Sequence, residues 1–334
     1  MSGIGTRDKR HERTMVSQKR TDAKTLWRSR LTGLMLSIAV SAASALSSTG
    51  TAAANQRTFS SPEQAADALA AAWRSGGKEE LLAIFGPAGE KLVCSGDPVA
   101  ERQARERLAS SYDEGHRLET EGTRRVVLLL GKDEWPYPMP LVREGAGWRF
   151  DVKAGAEQII DRRIGRNELN AIQVCRAYVE AQRDYAAKDG LGDGLHEYAQ
   201  QVESSEGKHD GLYWRTSEGE EESPLGPLVA AAQAQGYGTA SAEGQAPFHG
   251  YFYKILTRQG KNAPGGVRDY IVNGHLTGGF ALVAFPAKYG DSGVMTFVVN
   301  QDGIVFEKNL GRNTAEIARH MTEYNPDKTW NIAP

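Results

Sequence analysis

Gly290-Asp291-Ser292-Gly293 is the local setting of a nucleophilic serine, which attacks a carbonyl once a histidine takes its proton and an acid orients that histidine. The nearby histidines, His249 and His275, stand in no supporting motif, and a tight turn between strands explains the same four residues. Asp189, Asp193 and Glu197, interleaved with Gly190, Gly192 and Gly194, suggest a calcium loop. Read as an EF-hand loop from Asp189, however, the segment places Leu191 and Gln200 where ligands belong. Two readings are left, a three-oxygen calcium site completed by carbonyls and a glycine-rich turn after a helix. His196-Glu197 lacks the second histidine of the zinc-protease helix, because position 200 is Gln200. Neither a phosphate-cradling glycine loop with its lysine nor a dinucleotide fingerprint is present. His249, Tyr251, Tyr253, Tyr270 and His275 would line a groove for a peptide or sugar, or else pack across strands. No catalytic set and no cofactor is assigned, with calcium at Asp189, Asp193 and Glu197 the one ion considered.

Cys94 and Cys175 are the two cysteines. In an oxidising compartment they form one disulfide, which closes a long loop and stabilises by up to about 5 kcal/mol. The alternative is two buried free thiols. That compartment is expected from the N-terminus. Residues 1–30 hold nine Lys/Arg against three acids, then Leu31 to Val40 is apolar and Ala52-Ala53-Ala54 offers a cleavage site. A basic region, a short apolar region and small residues make a secretory signal peptide over 1–54, with Met15 a second candidate start. The apolar stretch falls short of the ~20 residues that span a bilayer. The expected product is an exported, periplasmic or otherwise envelope-located protein with no transmembrane segment after signal removal. Losing the leader takes the formal charge from −2 to −8. An acidic body disfavours phosphate backbones, so nucleic-acid binding is not expected.

The 280 residues after the leader exceed the usual single core, and two domains are expected, 55–160 and 161–334. Ser61-Pro62-Glu63-Gln64 starts a helix that Gly76-Gly77 ends. A short helix runs from Lys78 to Phe85, Lys91 to Cys94 reads as a strand, and Pro98 to Tyr112 is a charged helix with Val99, Leu108 and Tyr112 inward. Arg125 to Leu130 is a buried strand, and Met139–Arg143 with Trp148–Val152 flank a hairpin turn. Pro136, Pro138 and Pro140 alternate as they would on a protected sheet edge. Residues 154–187 predict one long helix, or two joined near Gly165, apolar over much of its circumference from Leu169 to Tyr185. Strands follow over His249–Thr257, Gly279–Phe285, Val294–Val299 and Ile304–Lys308, the last two joined by the turn Asn300-Gln301-Asp302-Gly303, and a helix closes the chain near Thr314. The fold class is α+β, with N-terminal helices plus an antiparallel sheet, then one long spine helix packed on a second antiparallel sheet.

Gly250 to Gly260, Ala263-Pro-Gly-Gly266, Gly278 to Pro286, Leu212-Tyr-Trp214 and Ser223 to Pro227 resemble the domain-of-unknown-function family 2950. The resemblance covers the chain from about Phe59 onward, and it implies a bacterial envelope location and no established activity. Leu169 to Tyr185 with Gly293 to Val305 is similar to the soluble headgroups of type IV pilins and pseudopilins, which pair one long helix with an antiparallel sheet. That implies a pilin-like second domain, though no membrane-inserting apolar segment precedes the helix as it does in pilins. The function these readings support is a non-catalytic binding or scaffolding module with an envelope protein partner. The alternative is an envelope hydrolase acting on cell-wall or peptide substrates.

Overall fold

The computed structural model describes residues 56–188, 194–216, 219–238 and 246–334. The leader over 1–54 lies outside the described residues. The fold is α+β. Helix α1 spans Pro62–Ser75; the Ser61 hydroxyl accepts from Gln64 N–H, proline occupies the first turn, and Gly76 ends the helix at φ 72°. Helix α2 spans Lys78–Phe85. Glu90–Val93 forms the short helix α3, where the sequence predicts a strand. A strand needs a partner ladder; these four residues instead continue the turn that begins at Pro87 and bury Val93 beside α2. Helix α4 spans Pro98–Glu114, capped by the Asp97 carboxylate on Ala100 N–H.

An antiparallel sheet follows: β1 His116–Glu121, β2 Arg125–Leu130, β3 Trp135–Pro136, β4 Leu141–Glu144 and β5 Gly147–Phe150. Its order is β1-β2-β4-β5, with β3 paired to the far end of β2. The hairpin places Glu144 opposite Gly147 and Leu141 opposite Phe150. One hydrophobic cluster fills the space between this sheet and α1 to α4, with Leu69, Ile84, Leu128, Leu130 and Phe150 almost fully excluded from water.

Helix α5 spans Val152–Ala187 without a break at Gly165. Its first third packs Val152, Ala156 and Ile159 on that cluster, and its second half packs Ala171, Ile172, Cys175, Tyr178, Val179 and Tyr185 on another. Leu169, expected inside, is 58% exposed. The second cluster lies against an antiparallel sheet of β6 Tyr251–Leu256, β7 Ala281–Pro286, β8 Thr296–Asn300, β9 Phe306–Lys308 and β10 Asn331–Ile332. The strand order is β10-β9-β8-β7-β6. Every residue of β7 and β8 is buried, which is why β7 reads as an unbroken apolar run and β8 as Phe297-Val298-Val299 between two buried polar residues, Thr296 and Asn300. Helix α6 spans Gly226–Ala234 and α7 spans Thr314–His320. Among the described residues no helix is long and apolar enough to cross a membrane.

Candidate functional site

The residues that sequence reading singles out do not come together. Ser292 is fully buried, its hydroxyl donating to Lys288 O (3.2 Å) and accepting from Lys288 N–H (2.9 Å). The hydroxyl thus closes the Lys288–Gly293 turn that Gly290 enters at φ 76°. Asp291 is equally buried, and pairs with Lys288 Nζ at 2.7 Å and Lys91 Nζ at 3.4 Å, tying the turn to α3. Neither His249 nor His275 hydrogen-bonds Ser292; His275 Nδ1 meets Glu197 Oε2 at 3.0 Å. That contact, on a carboxylate 4% exposed, accounts for Glu197. Asp189 and Asp193 lie outside the described residues, and among the described residues no group of His, Cys, Asp and Glu is placed to hold a metal ion. The aromatic cluster divides. Tyr251 and Tyr270 are buried, their hydroxyls on Met295 O and Gln259 Oε1, while Tyr253 lines an apolar cavity beside α6.

Cys94 and Cys175 are free thiols. Cys94 follows α3, which packs on α5 near Arg163, where the guanidinium donates to Lys91 O at 2.9 Å. Cys175 lies about 18 Å further along the same helix at 1.5 Å per residue, far beyond disulfide reach. Burial pushes its thiol up to about 12, so it is an inert core group.

Helices α4 and α5 build the site that sequence reading misses. On α4, Ala100, Ala104 and Leu108 recur every fourth residue, and Glu101 and Arg105 accompany them; on α5, Ile159, Arg162, Arg163 and Arg166 recur at i, i+3, i+4 and i+7. The two faces line a cavity of about 450 Å³ that takes in Arg105, Arg107, Arg162, Arg163 and Arg166. Glu101 is the sole acid on its wall, and its Oε1 already accepts from Ser95 N–H (2.6 Å) and Gly96 N–H (3.1 Å). Among the described residues none of the five arginines is within ion-pair distance of a carboxylate. Arg105 Nε and Arg163 Nη1 are buried with no hydrogen-bond partner. Desolvation holds the Arg163 and Arg166 guanidinium groups below the ordinary arginine value, and the like charge of Arg107 adds to the effect at Arg166. Buried donors without a partner are costly, and an anion that reaches them removes the cost. The guanidinium fork fits carboxylate and phosphate oxygens two at a time.

A family model described as Protein of unknown function (DUF2950) matches residues 56–332. The chain belongs to this family. No curated protein and no solved structure matches it, so the likeness to pilin headgroups carries no structural argument. All five cleft arginines of this DUF2950 chain lie inside the matched residues. The signal that would have located them is a run of arginines at helical spacing on the faces that also carry Leu108 and Ile159. Charged helix faces are ordinarily solvated, which is how sequence alone reads them.

One buried carboxylate fixes the cleft of the DUF2950 chain to its second sheet. Asp97 Oδ1 caps α4, while Oδ2 accepts from Tyr237 O–H (2.9 Å) and Gly250 N–H (2.7 Å), just before β6. His249 stands beside it with φ 51°, a conformation histidine tolerates better than most residues. Burial holds the His249 imidazole below its ordinary 6.5; the Asp97 charge opposes this and the Arg166 charge reinforces it. The unfolded chain therefore takes up the His249 proton at higher pH than the folded one, and stability falls on acidification below about pH 6.5. Urea unfolding from about pH 7 to pH 5 is expected to show that loss, with a shallower slope in His249→Asn, because asparagine keeps the left-handed backbone and does not titrate. An unchanged slope would remove His249 as its source.

Proposed function

We propose that this chain is an exported, non-catalytic envelope binding protein whose cleft between α4 and α5 holds an anionic ligand. The observation that carries the reading is the pair of buried, unpartnered guanidinium donors, Arg105 Nε and Arg163 Nη1, in a cavity lined by five arginines and one already-occupied carboxylate. Such a cavity in an otherwise acidic protein focuses field lines onto a small anion-attracting mouth. Export is supported by the basic, apolar and small-residue pattern of residues 1–54. No observation at Ser292 favours a hydrolase, because its hydroxyl is held within its own turn.

Isothermal titration with inorganic pyrophosphate at low salt tests the reading. Saturable binding is expected, weakening on addition of sodium chloride because the contact is charge on charge. Arg163→Gln is expected to lower the affinity about tenfold, the loss of one charge-assisted contact. The same variant should unfold at nearly the same temperature, because the loss of the 2.9 Å contact to Lys91 O is offset by removal of a half-buried charge that desolvation disfavours. No saturable binding, or equal binding by wild type and Arg163→Gln, would discard the anion site.

A further inference from the structure

The depth of the cleft carries information that its charge does not. The arginines fall into two tiers by exposure: Arg107, Arg162 and Arg166 are exposed, and Arg105 and Arg163 are half-buried. The least exposed of the wall residues are Trp73, Leu81, Phe85, Val93, Tyr137 and Met139, an apolar floor with each residue no more than 6% exposed. Trp135 stands at the rim, 38% exposed, with the Arg162 guanidinium over its ring at 5.5 Å. A small inorganic anion would satisfy the arginines and leave the floor filled with water against hydrocarbon. A ligand with an anionic and an apolar part satisfies both.

Resting on the anion-site reading, we infer that the cleft takes a single-tailed anionic amphiphile, a phosphate or carboxylate head among the arginines with one apolar chain on the floor below. The head meets the guanidinium groups of Arg105 and Arg163, half-buried residues whose Nε and Nη1 have no hydrogen-bond partner and are themselves closed off from solvent. Head and tail together have a cavity of about 450 Å³, toward the small end of ligand pockets, and this argues for one chain rather than two. Ile159 lines the cavity one helical turn from Arg163 on the same α5 face and packs on the apolar cluster, so a tail running from the head along α5 meets it.

Titration calorimetry with inorganic phosphate, butyl phosphate and octyl phosphate, all below micelle-forming concentrations and at one ionic strength, tests this. Affinity is expected to rise by about fourfold for each methylene buried, so octyl phosphate should bind at least a hundredfold tighter than inorganic phosphate. Ile159→Ser is expected to cut that preference tenfold while leaving inorganic phosphate unaffected, and Arg163→Gln to weaken all three anions alike. If all three phosphates bind equally, the amphiphile inference fails and the anion site stands. If none binds, both fail. Tighter binding of soluble dihexanoyl phosphatidic acid than of octyl phosphate would overturn the single tail.

Discussion

Replacing Asp97 by alanine is expected to destabilise the protein by about 4 kcal/mol, the largest single effect we anticipate for a polar side chain in this fold. The figure has three sources. Loss of the α4 cap costs about 1 kcal/mol, since Ala100 N–H loses its acceptor. The Tyr237 hydroxyl and Gly250 N–H, both buried partners, lose theirs as well, and each unsatisfied donor costs about 1–3 kcal/mol. Asparagine offers a single side-chain oxygen and turns an amide toward donors, so Asp97→Asn should lose roughly half as much. Urea unfolding of the full chain measures both. Tyr237→Phe isolates one of the three contacts, and a cycle with Asp97→Ala should return a coupling of about 1–2 kcal/mol. A loss below about 1 kcal/mol for Asp97→Ala would mean that water replaces the carboxylate, and that Asp97 does not hold α4 to β6.

The parts of this architecture that sequence reveals are those with a local cause. Ser61 and Gly76 bracket α1 because a cap hydroxyl and a left-handed glycine act within a few residues. The Gly145 turn and the β4–β5 register follow from alternation and turn chemistry in the same way. The segment Lys91–Cys94 fails for the opposite reason: four residues carry too little period to separate strand from helix, and packing against α2 decides. The cleft is also non-local. Arg105 and Arg163 lie far apart in sequence, and nothing in either helix alone says that the two charged faces turn toward one another rather than to water. Ser292 and Asp291 stand out in the sequence instead, because a short motif is visible without a fold; in the structure both residues hold a turn.

Two glycines on α5 are expected to respond to alanine with opposite signs. In an open helix position alanine is favoured over glycine by about 1 kcal/mol, through backbone entropy alone. Gly165 is such a position, with nothing within 4 Å of an added Cβ, so Gly165→Ala should raise stability by about 1 kcal/mol. Gly155 is not. A Cβ there would sit 2.4 Å from Pro138 O and 2.7 Å from Met139 Cγ, a backbone carbonyl and a buried side chain with little room to move. Overpacking of that kind costs about 1–3 kcal/mol and the carbonyl cannot rotate away, so Gly155→Ala should lose about 2 kcal/mol net despite its better helix propensity. Pro138 and Met139 also line the arginine cleft. Pushing α5 off them widens the floor, so Gly155→Ala should weaken octyl phosphate more than inorganic phosphate, whereas Gly165→Ala should change neither. Thermal and urea unfolding of the two variants side by side test the sign, with helix propensity common to both. A Gly155→Ala protein as stable as Gly165→Ala would show that α5 does not approach Pro138 this closely, and the floor of the cleft would have to be redrawn.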